Sequence, residues 1–232
     1  MLESAIMSYA TGKVDFQTFS AAIGIIASLH KAASGTSLLQ QYVTTHEFSP
    51  VHKALLYLDG EPTIQARSVV EERLTDVINK IPCEVDRADN KGRSPLTLAV
   101  EFRSFSSVRI LLDLKASPNF VRESISGVKM PLLHLLLAGP TDNEKNIIDI
   151  AEALLDAGAD IAAEDSEGWT ALHIAASWNM YDVSSMLLKK GDRGVLLTAL
   201  TYQRETAYDL ATNSGCSAQL LRLLLPTCTI CA

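Results

Sequence analysis

The stretch "EGWTALHIAASWNMYDVSSMLLKKG", residues 167–191, places both tryptophans of the chain, Trp169 and Trp178, on either side of a helix of small residues. Thr170 is suited to begin this helix as its N-cap, because a threonine hydroxyl can accept a hydrogen bond from a backbone N–H of the first turn. In the second half of the stretch, the leucine pair at 187–188 supplies the buried stripe of a second helix. The stretch is therefore predicted to form two short helices that pack against each other.

A short signature within this stretch recurs along the chain. Its copies begin at Ser49, Ser94, Pro131, Thr170 and Thr206, at spacings of 45, 37, 39 and 36 residues. Each copy is followed by a second apolar segment, so each predicts a pair of helices. Such a pair buries one face only by stacking on a copy of itself, so several copies are needed in a row. The chain is therefore predicted to be an array of helical repeats.

These motifs resemble ankyrin repeats, whose unit is about 33 residues long. The family pattern is best kept at Gly168, Thr170, Ala171, Leu172 and His173. The resemblance implies an all-α, ankyrin-like helical solenoid of about five repeats. Two of the repeats carry long insertions between their helices, at 59–68 and 139–146. In the family the motif histidine hydrogen-bonds the threonine of its own motif and neighbouring backbone, which the resemblance implies for His173 and Thr170.

The chain is predicted to have three regions. Residues 1–46 lack the signature and alternate short helical patterns with breaks, so they are expected to form an N-terminal helical cap on the first repeat. Residues 47–225 form the repeat array, and residues 226–232 form a C-terminal tail. Gly158 and Gly191 follow two of the second helices, where glycine commonly ends a helix in the left-handed conformation.

Composition argues against several classes of partner. The net charge is −7 and no dense basic run occurs, so nucleic acid and acidic membrane surfaces are not expected partners. The longest apolar runs are far shorter than the roughly 20 residues of a membrane span. Four cysteines and no Asn-x-Ser/Thr sequon give no sign of a secreted, disulfide-stapled protein. We therefore expect an intracellular protein, in the cytoplasm or the nucleus.

No pattern in the chain predicts catalysis, a metal site or a cofactor. His52, His134 and His173 occupy the same place in three copies of the signature, and recurrence at the structural period indicates a structural role. Cys228 and Cys231 form a C-x-x-C pair without two further ligands for a zinc ion. Phosphate-binding glycine loops and hydrolase motifs are also absent from the sequence. The expected protein is not an enzyme and has no cofactor.

Aromatic residues recur at two places in the repeats. One place directly precedes the signature, and the other is the end of the first helix. The resemblance implies that these places lie near the hairpin tip and on the concave face, where the family usually binds its partners. Aromatic side chains there either fill gaps between neighbouring repeats or form an exposed, aromatic-rich groove. With a charged rim, the candidate partner-binding residues are Phe48, Tyr57, Arg93, Glu101, Phe102, Arg103, Met130, Glu167, Trp169 and Trp178.

The function predicted from these features is that of a protein–protein interaction module, a scaffold or adaptor that binds a protein or peptide on its concave face. Two alternatives remain open at the level of sequence. The N-terminal helices or the long insertions could carry an enzymatic or regulatory activity, for which Asp59, Glu61, Asp142 and Glu144 are the acidic candidates. The apolar C-terminal end could instead mediate self-association.

Overall fold

The structure is a computed structural model that describes residues 45, 47–55, 67–123, 127–138 and 144–225. The predicted tail and all but Thr45 of the predicted N-terminal cap lie outside the described residues. So do Tyr57, Asp59, Glu61, Asp142, Cys228 and Cys231. The chain divides into two compact units, Met1–Phe120 and Val121–Ala232.

The described residues of the first unit form two stacked helix pairs. Its described helices are α1 (Pro50–Leu55), α2 (Arg67–Lys80), α3 (Pro95–Glu101) and α4 (Phe105–Asp113), with a 3-10 turn at Pro82–Glu84. Helix α1 packs against α2 and α3 packs against α4, while α1 also contacts α3 and α2 contacts α4. The two helix pairs predicted from the first and second signatures are therefore present and lie side by side.

In the second unit, the residues that the structure describes form a β-hairpin and three helix pairs. Strands β1 (Val121–Glu123) and β2 (Lys129–Pro131) are antiparallel, with Arg122 opposite Met130. The helices are α5 (Leu132–Leu137), α6 (Glu144–Asp156), α7 (Ala171–Ser177), α8 (Tyr181–Lys190), α9 (Arg193–Thr198), α10 (Ala207–Asn213) and α11 (Ala218–Leu224). The pairs α5–α6, α7–α8 and α10–α11 stack in that order. Helix α9 was not predicted. Apart from the hairpin, the regular structure of the described residues is helical, which confirms the predicted all-α class.

Small residues allow the first helices of neighbouring repeats to pack closely. Ala99, Ala175 and Ala211 hold equivalent positions in α3, α7 and α10, and each is fully buried. Leu111 and Leu187, in the second helices, are buried as well. The core of each unit thus lies between the layers of helices, as the spacing of apolar residues predicts.

The loops that lead into three of the repeats end in the same tight turn. The turns span Asp89–Arg93, Asp165–Trp169 and Thr201–Glu205, and in each the N–H of the first residue donates to the carbonyl oxygen of the last, at 2.8, 3.0 and 3.0 Å. The fourth residue of each turn has a positive φ, which Gly92 and Gly168 adopt without steric cost. We call these segments the tip turns.

The two glycines predicted to end helices behave differently. Gly158 has a φ of +95° and its N–H donates to the carbonyl of Leu155, as expected for a left-handed cap. Gly191 also ends its helix, as predicted, but the left-handed conformation expected there is wrong, since its φ is −102°. A Cβ atom at Gly191 would lie 2.8 Å from Leu196 Cδ1 and 2.9 Å from Ile161 Cδ1. Close packing against Leu196 of α9 and Ile161 of the preceding loop, rather than backbone conformation, therefore favours glycine there.

Candidate functional site

The motif histidine of the fourth repeat is held inside the stack by hydrogen bonds. His173 Nδ1 lies 2.9 Å from Thr170 Oγ1 and accepts a bond from the Thr170 N–H at 3.1 Å. Its Nε2 lies 3.2 Å from the carbonyl oxygen of Ala199, in the segment that leads to the fifth repeat. The bonds that the family resemblance implied for Thr170 and His173 are therefore present.

Two more motif histidines tie one repeat to the next. His52 Nε2 lies 2.9 Å from the carbonyl oxygen of Arg93, and His134 Nε2 lies 2.7 Å from that of Trp169. Arg93 and Trp169 are equivalent, since each directly precedes the signature of the following repeat. The donor must be Nε2–H in both cases, because a carbonyl oxygen only accepts. These histidines therefore act as bridges between neighbouring repeats.

His134 differs from the other two at its second ring nitrogen. His52 Nδ1 pairs with Ser49 Oγ at 2.8 Å. His134 Nδ1 is buried and has no hydrogen-bond partner among the described residues. The residue that corresponds to Ser49 is Pro131, which has neither a hydroxyl nor a backbone N–H. The third repeat thus lacks the bond that its neighbours make at this position.

All three motif histidines are shielded from solvent and favour their neutral form. Burial lowers the pKa of His52, His134 and His173, and the bonds to backbone carbonyls oppose this effect only in part. None of the three presents a ring face to solvent. A neutral imidazole with its N–H committed to a carbonyl is a structural group, which agrees with the interpretation drawn from its recurrence.

Three of the candidate residues meet in the first unit, but in a closed network. The Arg93 guanidinium donates to Asp89 Oδ2 at 2.6 Å and lies 3.8 Å from Glu101 Oε2. It also lies 6.0 Å from the centre of the Phe48 ring, which stacks on His52. Phe48 is only 5% exposed. This cluster therefore stabilises the first unit and offers little surface to a partner.

The ends of two equivalent first helices differ sharply in exposure. Phe102 follows α3 and is 7% exposed, whereas Trp178 follows α7 and is 49% exposed. The next residues, Arg103 and Asn179, both adopt the left-handed conformation, with φ of 51° and 57°. Burial corrects the expectation that Phe48 and Phe102 line an open groove. Trp178 remains the accessible aromatic of this helix-end position among the described residues.

The remaining candidates lie in the second unit. Trp169 is half-buried, and its ring centre lies 6.4 Å from that of His173. Met130 is half-buried in β2. Glu167 is exposed, at the tip turn that ends in Trp169. Trp169, Glu167 and Trp178 are thus the candidates with surface available around the fourth repeat.

A group of exposed apolar residues that was not predicted from the sequence lies between α8 and α10. Tyr202 is 72% exposed and Leu200 is 51% exposed, and Val195 on α9 is also exposed. None of them belongs to the repeated signature, and none lies at the two recurring positions from which the candidates were predicted. The sequence does contain a sign of them. These residues are apolar, whereas the clearest of the equivalent loops, "AAEDSEGW" at 162–169, is polar and acidic.

Within the part of the chain that the structure describes, no group of three or more His, Cys, Asp or Glu side chains could hold a metal ion. No described helix is long and apolar enough to cross a bilayer.

Comparisons with known proteins agree with the helical repeats. Residues 135–231 match the family described as ankyrin repeats, in three copies. The chain is 29% identical over 139 residues to the B-cell lymphoma 3 protein homolog of Mus musculus, which covers 60% of this chain and 30% of the mouse protein. It is 25% identical over 116 residues to the putative ankyrin repeat protein L371 of Acanthamoeba polyphaga mimivirus, which covers 49% of this chain and 14% of the viral protein. The chain therefore spans less than a third of either relative. The resemblance drawn from the signature is confirmed, since residues 135–231 match ankyrin repeats and both relatives resemble the chain.

Proposed function

We propose that this chain binds a protein or peptide partner on a concave face to which Trp178, Trp169 and Glu167 contribute. Ankyrin repeats are protein–protein interaction modules, and three copies are matched within residues 135–231. An array of stacked helix pairs is already ordered before binding, so it loses little conformational entropy when a partner docks.

The observation that carries the proposal is the exposure of Trp178. At the equivalent position Phe102 is buried, so the fold can bury an aromatic residue there, yet it leaves the indole 49% exposed. An aromatic side chain buries about 150–250 Å² in a core. Covering the exposed half of the Trp178 side chain would remove about 100 Å² from water, worth about 2.5 kcal/mol. Tryptophan is also enriched among the residues that dominate binding energy at protein interfaces.

The proposal is tested by comparing the proteins captured from a cell lysate by the wild-type chain and by Trp178→Ala. The matched control is Val121→Ala, which shortens another exposed apolar side chain. We expect at least one partner to be retained by the wild type and by the control but lost from Trp178→Ala, with all three melting temperatures similar. Equal capture by all three proteins would contradict a role for Trp178 in binding.

Self-association is a second candidate, favoured by Leu225. This residue ends α11 and its side chain is exposed, whereas the neighbouring Leu224 is buried. Light scattering across a range of concentrations would show a mass that rises for the wild type and not for Leu225→Ser. A constant monomer mass for both proteins would eliminate this candidate.

A further inference from the structure

We propose that the tip turns of the fourth and fifth repeats form a docking surface for a basic segment of the partner. We call this the tip surface and define it by Glu164, Glu167, Leu200 and Tyr202. The inference rests on the proposed function, since it names the chemistry of the partner that the same repeats bind. It lies entirely within the second unit.

Tyr202 is the anchor of the tip surface because its backbone and ring are both positioned from within the fold. Its N–H donates to the carbonyl oxygen of Glu167 at 3.1 Å, which joins the two tip turns. Its ring lies directly on Gly168, where a Cβ atom would come within 2.6 Å of Tyr202 Cδ1. The side chain is nevertheless 72% exposed. The ring therefore packs on Gly168 and still presents aromatic surface to solvent.

Leu200 extends this apolar surface along the chain. It stands two residues before Tyr202 and is 51% exposed. The backbone on both sides of it is held, because the carbonyl of Ala199 pairs with His173 Nε2 and the N–H of Thr201 donates to Glu205 at 3.0 Å. Two large apolar side chains are thus held in water on an ordered backbone, which lowers the entropy cost of binding at them.

The charge around these apolar residues favours a basic occupant. Residues 157–169 contain Asp160, Glu164, Asp165 and Glu167 and no lysine or arginine. Asp165 is used internally, since its carboxylate accepts the N–H groups of Glu167 and Trp169 at 2.8 and 2.9 Å. Glu164 and Glu167 are exposed. A cationic partner is attracted to such a surface and an acidic partner is repelled.

Two arginines in the adjoining segment do not reverse this balance. The Arg193 guanidinium donates to the carbonyl of Leu223 at 2.6 Å, so it is directed to α11. Arg204 is exposed next to the tip surface, and so is Lys129, whose N–H donates to Ser166 Oγ at 2.7 Å. These two cations offset two of the four carboxylates of residues 157–169, which leaves the segment acidic. A lysine or arginine of the partner can stack on the Tyr202 ring in a cation–π contact. The occupant that fits is therefore a segment combining lysine or arginine with an apolar residue for Leu200.

The test uses labelled synthetic octapeptides that share two leucines and differ in net charge from −4 to +4. Fluorescence anisotropy is measured at about 50 mM and about 300 mM salt. We expect binding to strengthen with positive charge and to weaken at the higher salt, where the screening length is shorter. Tyr202→Leu keeps an apolar contact but removes the aromatic face, so it should weaken binding of the +4 peptide by about threefold, which corresponds to the lower part of the cation–π range.

Charge variants separate a local surface from the acidity of the whole chain. Glu167→Gln should weaken binding of the +4 peptide by about twofold or more, in line with the modest worth of an exposed charge pair. The matched control is Asp182→Asn, which removes an equal exposed charge at the start of α8 and should leave binding unchanged. Equal losses in both variants, or no dependence on peptide charge, would overturn the inference.

The outcome is distinguishable from failure of the proposed function. Loss of lysate capture by Trp178→Ala together with no preference for basic peptides would keep the interaction module and reject the basic occupant. Preference for the acidic peptides would reject it equally. Circular dichroism of every variant confirms that a change in binding does not reflect unfolding.

Discussion

His134 Nδ1 has no hydrogen-bond partner in the part of the chain that the structure describes, because the residue that begins its repeat is Pro131. In the first and fourth repeats a hydroxyl occupies this place, at 2.8 and 2.9 Å from the corresponding nitrogen. A buried acceptor without a donor costs about 1–3 kcal/mol. The third repeat therefore carries a local defect that its neighbours do not have.

Replacement of Pro131 by threonine should repair this defect. The new hydroxyl and N–H can both pair with His134 Nδ1, while the loss of proline costs about 0.4–1 kcal/mol through the unfolded chain. We expect a net gain in unfolding free energy of about 1 kcal/mol, measured by urea denaturation. Pro131→Val is the control, since valine has the shape of threonine without its hydroxyl. A valine variant as stable as the threonine variant would show that the hydroxyl makes no contribution.

Alanine at Phe102 and at Trp178 should have very different effects on stability, although the two residues hold equivalent positions. Phe102 is buried, so its truncation leaves a cavity and should cost about 3–5 kcal/mol. Trp178 is half in water, and its truncation should cost roughly 1 kcal/mol. Urea denaturation of both variants measures the difference. Equal losses of unfolding free energy would mean that the indole stabilises the stack and is not a surface kept open for a partner.

Alanine at Gly168 should destabilise the protein more than alanine at Gly158. Both glycines have positive φ, so both substitutions carry the backbone strain of about 1 kcal/mol. A Cβ at Gly168 also collides with the Tyr202 ring, while none of the described atoms lies within 4 Å of a Cβ at Gly158. The difference between the two unfolding free energies isolates the cost of moving Tyr202. A difference near zero would mean that the ring shifts freely.

Stability should fall as the pH drops below about 6.5. Burial lowers the folded-state pKa of the motif histidines, so between that lowered pKa and the unfolded value of about 6.5 the unfolded chain binds more protons. Protonation then favours unfolding, and above pH 6.5 the effect is absent. Urea denaturation at pH 5.5 and pH 7.5 tests the sign. His134→Gln should reduce the difference, because it removes one of the titrating groups, and an unchanged difference would contradict this assignment.

The helix pairs were predictable because the same short sequence signature recurs in each repeat. Ser94 and Thr206 accept the expected bonds from Thr97 and Asp209 backbone N–H groups, and His173 bonds Thr170. These interactions connect residues three apart, so a short signature contains both partners. Local spacing is then sufficient to identify them.

Exposure was not predictable in the same way, because it depends on the repeat next door. Phe102 and Trp178 occupy one sequence position but differ sixfold or more in exposed fraction, from 7% to 49%. The sequence predicts that Phe48 is exposed, but in the structure the Arg93 side chain of the following repeat lies beside its ring. Tyr202 lies outside the signature altogether. Contacts between neighbouring repeats, which the sequence does not show, therefore decide which of the candidate residues are exposed.

The histidine bridges do not depend on the side chain of the residue that they bond. His52 and His134 each donate a hydrogen bond to the main-chain carbonyl oxygen of the residue before the next signature. Every amino acid has that oxygen. The side chain at that place is arginine in one repeat and tryptophan in another, and the bridge forms in both. The side chain at that position can thus be substituted, in evolution or by design, without loss of the hydrogen bond that links the two repeats.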